Sequence, residues 1–195
     1  ELRPRPRSPY AVGKLAGEEY VRIFASLYGL ETLTLRYFNV FGPRQDPSSP
    51  YSGVISQFAS AMLQAKTPTL WGDGRQSRDF TYVDNVVIAN LRALAAKDLR
   101  GQAVNVAAGG RVTLRDLLNA LGRLTGQPAR ALRRPARSGD VRHSQADIRL
   151  ARRILGYTPQ VAFEEGLRRT VEWYATQLEA PAARRRRPGR QAVAA

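Results

Sequence analysis

Apolar, β-branched runs alternate along this chain with segments that carry helix caps, and this alternation limits the fold more than any other feature. Ser8 is a good N-cap, Pro9 suits the first helical position, and Gly29 is a natural stop after "EEYVRIFASLY". The alternating "ETLTLRYFNVFG" then reads as a strand running into a loop. "VISQFASAMLQA" reads as a helix, and "PTLWGDGRQSRDFTYV" as two short strands around a Gly-Asp-Gly turn. Asp84 is placed to cap "NVVIANLRALAA", an amphipathic helix, and "QAVNVAAG" reads as a short buried strand. Thr113 caps "LRDLLNALGRLTG", Asp147 caps "IRLARRILG", and "RSGDVRHSQ" between them is an irregular loop. In "FEEGLRRTVEWYATQL" Leu167, Val171 and Tyr174 recur at helical spacing. The expected class is α/β.

At 195 residues and 43% hydrophobic content the chain can bury a core of one domain, or one and a half. It has no cysteine, which removes disulfides, thiolate metal sites and cysteine nucleophiles together. The single histidine, His143, argues against a histidine-built metal site. No apolar run approaches the roughly 18 residues that span a bilayer, and no basic-then-apolar leader pattern occurs. A cytoplasmic chain without metal or membrane partners is expected. The net charge of +15 invites a nucleic-acid partner, but its placement weakens that reading. Residues 180–195 carry five arginines and no acid, and residues 1–7 a net +2, so residues 8–179 hold +8. "ARRRRPGRQAVAA" reads as a disordered, arginine-rich tail.

Three constellations can carry chemistry. Tyr10 and Lys14 stand four apart, on one helical face. A phenol is a poor base at neutral pH, and a neighbouring ammonium favours its phenolate, so such a pair can move a proton off an alcohol. Alone the motif is weak and reads more readily as a packed tyrosine with a surface lysine. Arg44, Arg78 and Arg137 fall beside Gly, Pro or Asp in loops. Converging on one cleft they would bind a diphosphate, since guanidinium suits bidentate phosphate recognition; otherwise they are surface arginines. Trp71 precedes the Gly-Asp-Gly turn, where an indole stacks on a base or closes a core. Asn39 and Asn105 fall at the carboxyl ends of strands, where α/β sheets bind ligands. His143 is a ligand contact or a loop histidine without a role. The sequence contains no G-x-G-x-x-G.

Taken in order, "SPYAVGKLAGE", "LRYFNVFGPRQDP", "GDGRQSRDFTYVDNVV", "VNVAAGGRVTLRDLL", "RSGDVRHSQADI" and "FEEGLRRTVEWY" resemble the NAD-dependent epimerase/dehydratase family, the nucleotide-sugar branch of the extended short-chain dehydrogenase/reductases. Within it, the likeness is greatest to bacterial UDP-N-acetylglucosamine 4-epimerases. It implies the C-terminal part of a Rossmann-like parallel-sheet domain plus a smaller α/β substrate-binding domain. Residues 1–50 would be a remnant of the NAD-binding domain. Residues 51–179 would mainly bind the UDP-sugar, with returning Rossmann-like elements near 80–108.

The resemblance also implies roles. Tyr10 would be the catalytic acid/base, with Lys14 on the nicotinamide ribose and Tyr37 near the nicotinamide. Phe38 and Asn39 would line the sugar and diphosphate, and Val54 and Trp71 the uridine. Arg78 and Arg137 would clamp the diphosphate, and Asp140 would reach the uridine ribose. Ser144 faces C2 of the sugar in this likeness, and a small residue there admits an N-acetyl group. The reaction implied is transient NAD-dependent oxidation at C4. A homodimer through helices near 9–28 and 54–65 is a further implication. The family's glycine-rich NAD loop belongs before Glu1, so the expectation is a C-terminal piece, inactive alone. A nucleotide-sugar dehydratase or decarboxylase, a non-catalytic sugar-nucleotide-binding module, and a nucleic-acid binder through the arginine tail are the alternatives.

Overall fold

The computed structural model describes residues 4–6, 8–49, 52–137 and 139–179. Residues 180–195, read from sequence as a tail, lie outside them. In chain order the elements are α1 (Pro9–Tyr28), β1 (Leu33–Tyr37), β2 (Val40–Phe41), α2 (Val54–Leu63), β3 (Thr69–Trp71), β4 (Ser77–Arg78), β5 (Thr81–Tyr82), α3 (Val83–Ala95), β6 (Gln102–Val106), β7 (Val112–Thr113), α4 (Leu114–Thr125), β8 (Leu132–Arg134), α5 (Arg149–Leu155) and α6 (Phe163–Glu179). β1 pairs with β6 in parallel, Leu33 against Gln102 and Tyr37 against Val106. β2–β5 and β3–β8 are also parallel, and β4–β7 is antiparallel. Parallel pairs need crossover connections, and the helices between the paired strands supply them.

Caps set several helix ends. Ser8 Oγ accepts the Ala11 N–H at 3.2 Å, Pro9 opens α1, and Gly29 closes it at φ 65°. Thr113 and Asp116 form a reciprocal capping box at α4. Two expected caps are corrected. Asp84 lies within the first turn of α3, which Tyr82 precedes; its carboxylate still faces the positive end of the helix. Ile148 precedes α5, while Asp147 accepts the Arg149 N–H at 2.9 Å and pairs with its guanidinium. The two strands expected around the Gly-Asp-Gly turn are three, β3, β4 and β5.

Two main cores result. In the larger, Phe58 and Met62 of α2 meet Leu117 and Leu121 of α4 and Leu167 of α6. Each such side chain contributes roughly 1.5–3 kcal/mol by leaving water. The smaller joins Val104 and Val106 of β6 to Ala89 of α3, Ala151 of α5 and Tyr157. Gly166 lets α6 lie on β5: a Cβ there would meet the Tyr82 ring at 2.8 Å. Asn85, fully buried, ties α3 to the approach to α6: its Nδ2 donates to the Val161 carbonyl at 2.8 Å, and its Oδ1 accepts from Gln160 N and Val161 N.

Helix α1 buries none of its residues fully. It is held to its neighbours by Arg36 of β1, which pairs with Glu18, and by Thr32, whose hydroxyl donates to the Val21 carbonyl at 3.0 Å. Gly101, at φ 75°, lets the chain pass within 2.7 Å of Arg22 Cα, as measured from where a Cβ would stand.

Candidate functional site

β2, α2, β3 and the residues Arg137, Gly139 and Asp140 surround an open cavity of about 400 Å³, within the size range of small-molecule sites. Its floor is apolar because the surrounding elements turn core residues toward it: Phe41, Phe58, Leu70, Phe80 and Leu114 belong both to the larger core and to the lining. Phe41 and Phe80 meet edge to face with centroids 6.2 Å apart. The rim is polar and cationic. Six residues singled out from the sequence line this cavity together: Asn39, Val54, Trp71, Arg78, Arg137 and Asp140.

Their local geometry is specific. Arg78 ends β4, and its Nη2 meets Asp140 Oδ1 at 2.5 Å while Nη1 donates to the Ser77 carbonyl at 2.9 Å. The expected diphosphate-binding arginine and the expected ribose-binding aspartate are thus paired with each other. The Arg137 guanidinium lies over the Trp71 indole, 4.5 Å from the ring centroid. Asn39 sits between β1 and β2 at φ 37°, a conformation asparagine tolerates, and its Nδ2 donates to the Asp79 carbonyl at 3.1 Å. Two guanidiniums against one carboxylate leave the rim positive over an apolar floor, an arrangement suited to a polyanion carrying a flat or apolar group.

Other expected residues lie outside this lining. Tyr10 and Lys14 project from α1, with Lys14 Nζ 5.4 Å from the Tyr10 ring centroid, and Tyr10 is 69% exposed. Tyr37 donates its hydroxyl to Asn90 Oδ1 at 3.1 Å. Phe38 lines a separate depression with Arg36, Asn105 and Asp147. Ser144, half-buried, donates its backbone N–H to the Ser77 carbonyl at 3.0 Å, which places it beside β4. His143 Nδ1 lies 2.9 Å from Ser77 Oγ, and Arg44 is exposed at φ 69°.

Sequence reasoning passed over two residues that hold the site. Asp79 is buried, and its carboxylate accepts backbone N–H groups from Ala108, Gly109 and Ala146 at 3.1–3.2 Å. Burial pushes its carboxyl above the ordinary range, and these donations pull it part of the way back. It thereby fastens the turn after β6 to the segment that carries His143 and Ser144. Gln76, also buried, donates Nε2 to the Trp71 carbonyl at 2.5 Å. The available signal was a carboxylate held between Arg78 and Phe80 in a stretch otherwise reading as strand.

A parallel α/β arrangement with a cationic cavity at strand ends defines the class of protein. The chain belongs to the NAD dependent epimerase/dehydratase family, whose model matches residues 1–107. It is 41% identical over 179 residues to the UDP-glucose 4-epimerase of Mycolicibacterium smegmatis, covering 92% of this chain and 56% of that protein. Among solved structures it matches UDP-glucose 4-epimerase with UDP-glucose from Thermotoga maritima, with a TM-score of 0.85 and 41% identity, over 90% of this chain and 56% of that one. It also matches UDP-N-acetylglucosamine 4-epimerase from Methanobrevibacter ruminantium M1 in complex with UDP-N-acetylmuramic acid, with a TM-score of 0.84 and 40% identity, over 89% and 55%. The chain spans about half the length of the curated relatives it matches.

Proposed function

We propose that these residues carry the substrate-recognising part and the acid/base helix of a UDP-sugar 4-epimerase, acting on UDP-GlcNAc/UDP-GalNAc or UDP-Glc/UDP-Gal. The observation that supports it most is the convergence of Asn39, Val54, Trp71, Arg78, Arg137 and Asp140 on one cavity. In this reading Arg78 exchanges its Asp140 partner for phosphate oxygens, Arg137 takes the diphosphate from the other side, and Asp140 turns to the ribose. Val54 and Trp71 flank the uridine end. Phe38 and Asn39 bound the hexose, and Ser144 leaves room at C2 for an acetamido group. Binding energy taken at the nucleotide leaves the hexose free to turn, separating anchoring from the reacting carbon.

Tyr10 takes the 4-hydroxyl proton and returns it after the 4-keto sugar has presented its other face, with Lys14 and Tyr37 toward the cofactor. NAD, when bound, would supply reversible hydride acceptance at C4, with Lys14 and Tyr37 as the residues that would hold its ribose and nicotinamide end. The adjacent phenol and ammonium on α1 fit the ribose and nicotinamide end of that cofactor. A glycine-rich phosphate cradle of the form G-x-G-x-x-G does not occur in the sequence. The 195 residues alone are therefore read as competent to bind UDP-sugar and not to turn it over.

Residues 1–50, with elements near 80–108, are assigned to the cofactor domain and the rest of 51–179 mainly to the substrate region. A homodimer through α1 and α2 and a cytoplasmic setting belong to the same reading; no described helix is long and apolar enough to cross a membrane. The position of Tyr10 and Lys14 outside the cavity lining favours one second reading, a sugar-nucleotide-binding module without catalysis.

Titration calorimetry of the 195-residue chain with UDP-GlcNAc tests the proposal. Binding that weakens at least about tenfold in R78A is expected, since a charge-assisted phosphate contact is lost. No binding, or binding indifferent to both Arg78 and Arg137, overturns it. Epimerisation by the chain with added NAD would refute the inactivity assigned to it alone. Retained binding with no turnover when a glycine-rich half is supplied would favour the non-catalytic module.

A further inference from the structure

Trp71 is the last residue of β3, and its backbone is fixed from two sides. Gly72 N donates to the Arg134 carbonyl at 2.9 Å across the β3–β8 pair, and Gln76 Nε2 holds the Trp71 carbonyl. The indole is 37% exposed and faces the cavity. The parallel register, Trp71 against Arg134, delivers Arg137 three residues later onto the indole, with the guanidinium carbon 4.5 Å from the ring centroid. Among the described residues no carboxylate forms an ion pair with Arg137, whereas Arg78 is engaged by Asp140.

A guanidinium resting on an aromatic face gives up none of its N–H donors, because these point outward in its own plane. The ring restricts a long side chain that otherwise samples many rotamers, so less freedom is lost when an anion binds. A base stacked on the face that Arg137 covers would have to evict the guanidinium. We propose that Trp71 is a positioning residue that acts through Arg137 and sets affinity for the diphosphate rather than for the nucleobase. This rests on the reading of the cavity as a diphosphate site, and it departs from the direct uridine contact first assigned to Trp71.

The test is calorimetry on the 195-residue chain with three probes: UDP, inorganic pyrophosphate and uridine. W71L should weaken UDP and pyrophosphate by the same factor, about threefold to tenfold, from the loss of a cation–π contact. W71F should restore most of that loss, since a ring is kept. In an R137A background W71L should have no further effect on either diphosphate. The W173F variant leaves Trp71 as the sole indole, and pyrophosphate should then change its fluorescence only while Arg137 is present. Circular dichroism confirms that each variant is folded, and W71F carries the comparison should W71L not fold.

Weakened UDP and uridine binding with pyrophosphate unchanged would assign Trp71 to the base and overturn the proposal. Additive losses in W71L/R137A would overturn it as well. A wild-type chain that binds neither UDP nor pyrophosphate would remove the diphosphate reading of the cavity, and this inference with it. The proposal alone fails when the wild type binds both and W71L leaves pyrophosphate affinity intact.

Discussion

Asp79 shows how much of the site depends on a side chain that lines none of it. Its carboxylate gathers three backbone N–H groups from two segments distant in sequence, while its own carbonyl receives Asn39. Asp79→Asn would turn an amide N–H toward backbone N–H groups, so a destabilisation of about 2 kcal/mol is expected, read as a shift in urea midpoint. Binding of UDP should weaken in the same variant, because the segment with His143 and Ser144 loses its tether. Ser144 carries the substrate prediction. Ser144→Tyr should weaken UDP-GlcNAc at least about tenfold while leaving UDP-Glc within about threefold, measured by calorimetry. Equal effects on the two sugars would show that Ser144 does not face C2. That Arg78 and Arg137 belong to one cleft was legible because loop arginines beside Gly and Asp stand out in the sequence. Asp79 was not, since its partners at 108, 109 and 146 are backbone groups, which leave no trace in residue identity.

Elements divide along the same line. Helices with caps, such as α1 and α4, were legible from Ser8, Pro9, Gly29 and Thr113, because cap chemistry is local. β7 and β8, two and three residues long, were missed: they are extended only because β4 and β3 hold them. Asp84 and Asp147 misled for a related reason, since a carboxylate is also favourable inside a first turn or paired to a nearby arginine. Gly166 offers a test of helix packing. Alanine there gains about 1 kcal/mol of helix propensity, but its methyl would stand 2.8 Å from the Tyr82 ring. Gly166→Ala should therefore be net destabilising by about 1–2 kcal/mol in thermal or urea unfolding.

Over the whole molecule, the α/β class matches what strand and helix alternation implied, and the parallel pairing of β1 with β6 matches the parallel sheet implied by the family resemblance. Two buried phenols tie distant parts together: Tyr157 donates to the Ala107 carbonyl at 3.0 Å and Tyr174 to the Gln45 carbonyl at 2.5 Å. Burial pushes both up to about 12 from the ordinary value of 10. The folded chain then holds these protons where the unfolded chain has released them. Stability should be intact below pH 10 and fall as pH rises from 10 toward 12. Tyr157→Phe and Tyr174→Phe should each flatten that alkaline slope in urea unfolding followed across the interval.

Helix α1, with no fully buried residue, joins the rest through the Arg36–Glu18 pair, the Thr32 hydroxyl, the close pass at Gly101 and a half-buried stripe of Ala11, Leu15, Val21 and Ala25. Local openings of such a segment cost far less than global unfolding. In this chain the amides of α1 should exchange with deuterium well before those of α4, whose Leu117 and Leu121 are wholly enclosed. The proposed proton carrier and the proposed nucleotide clamp thus sit on parts of the chain that breathe on different clocks. Any partner surface that covers α1 would bring the two into step.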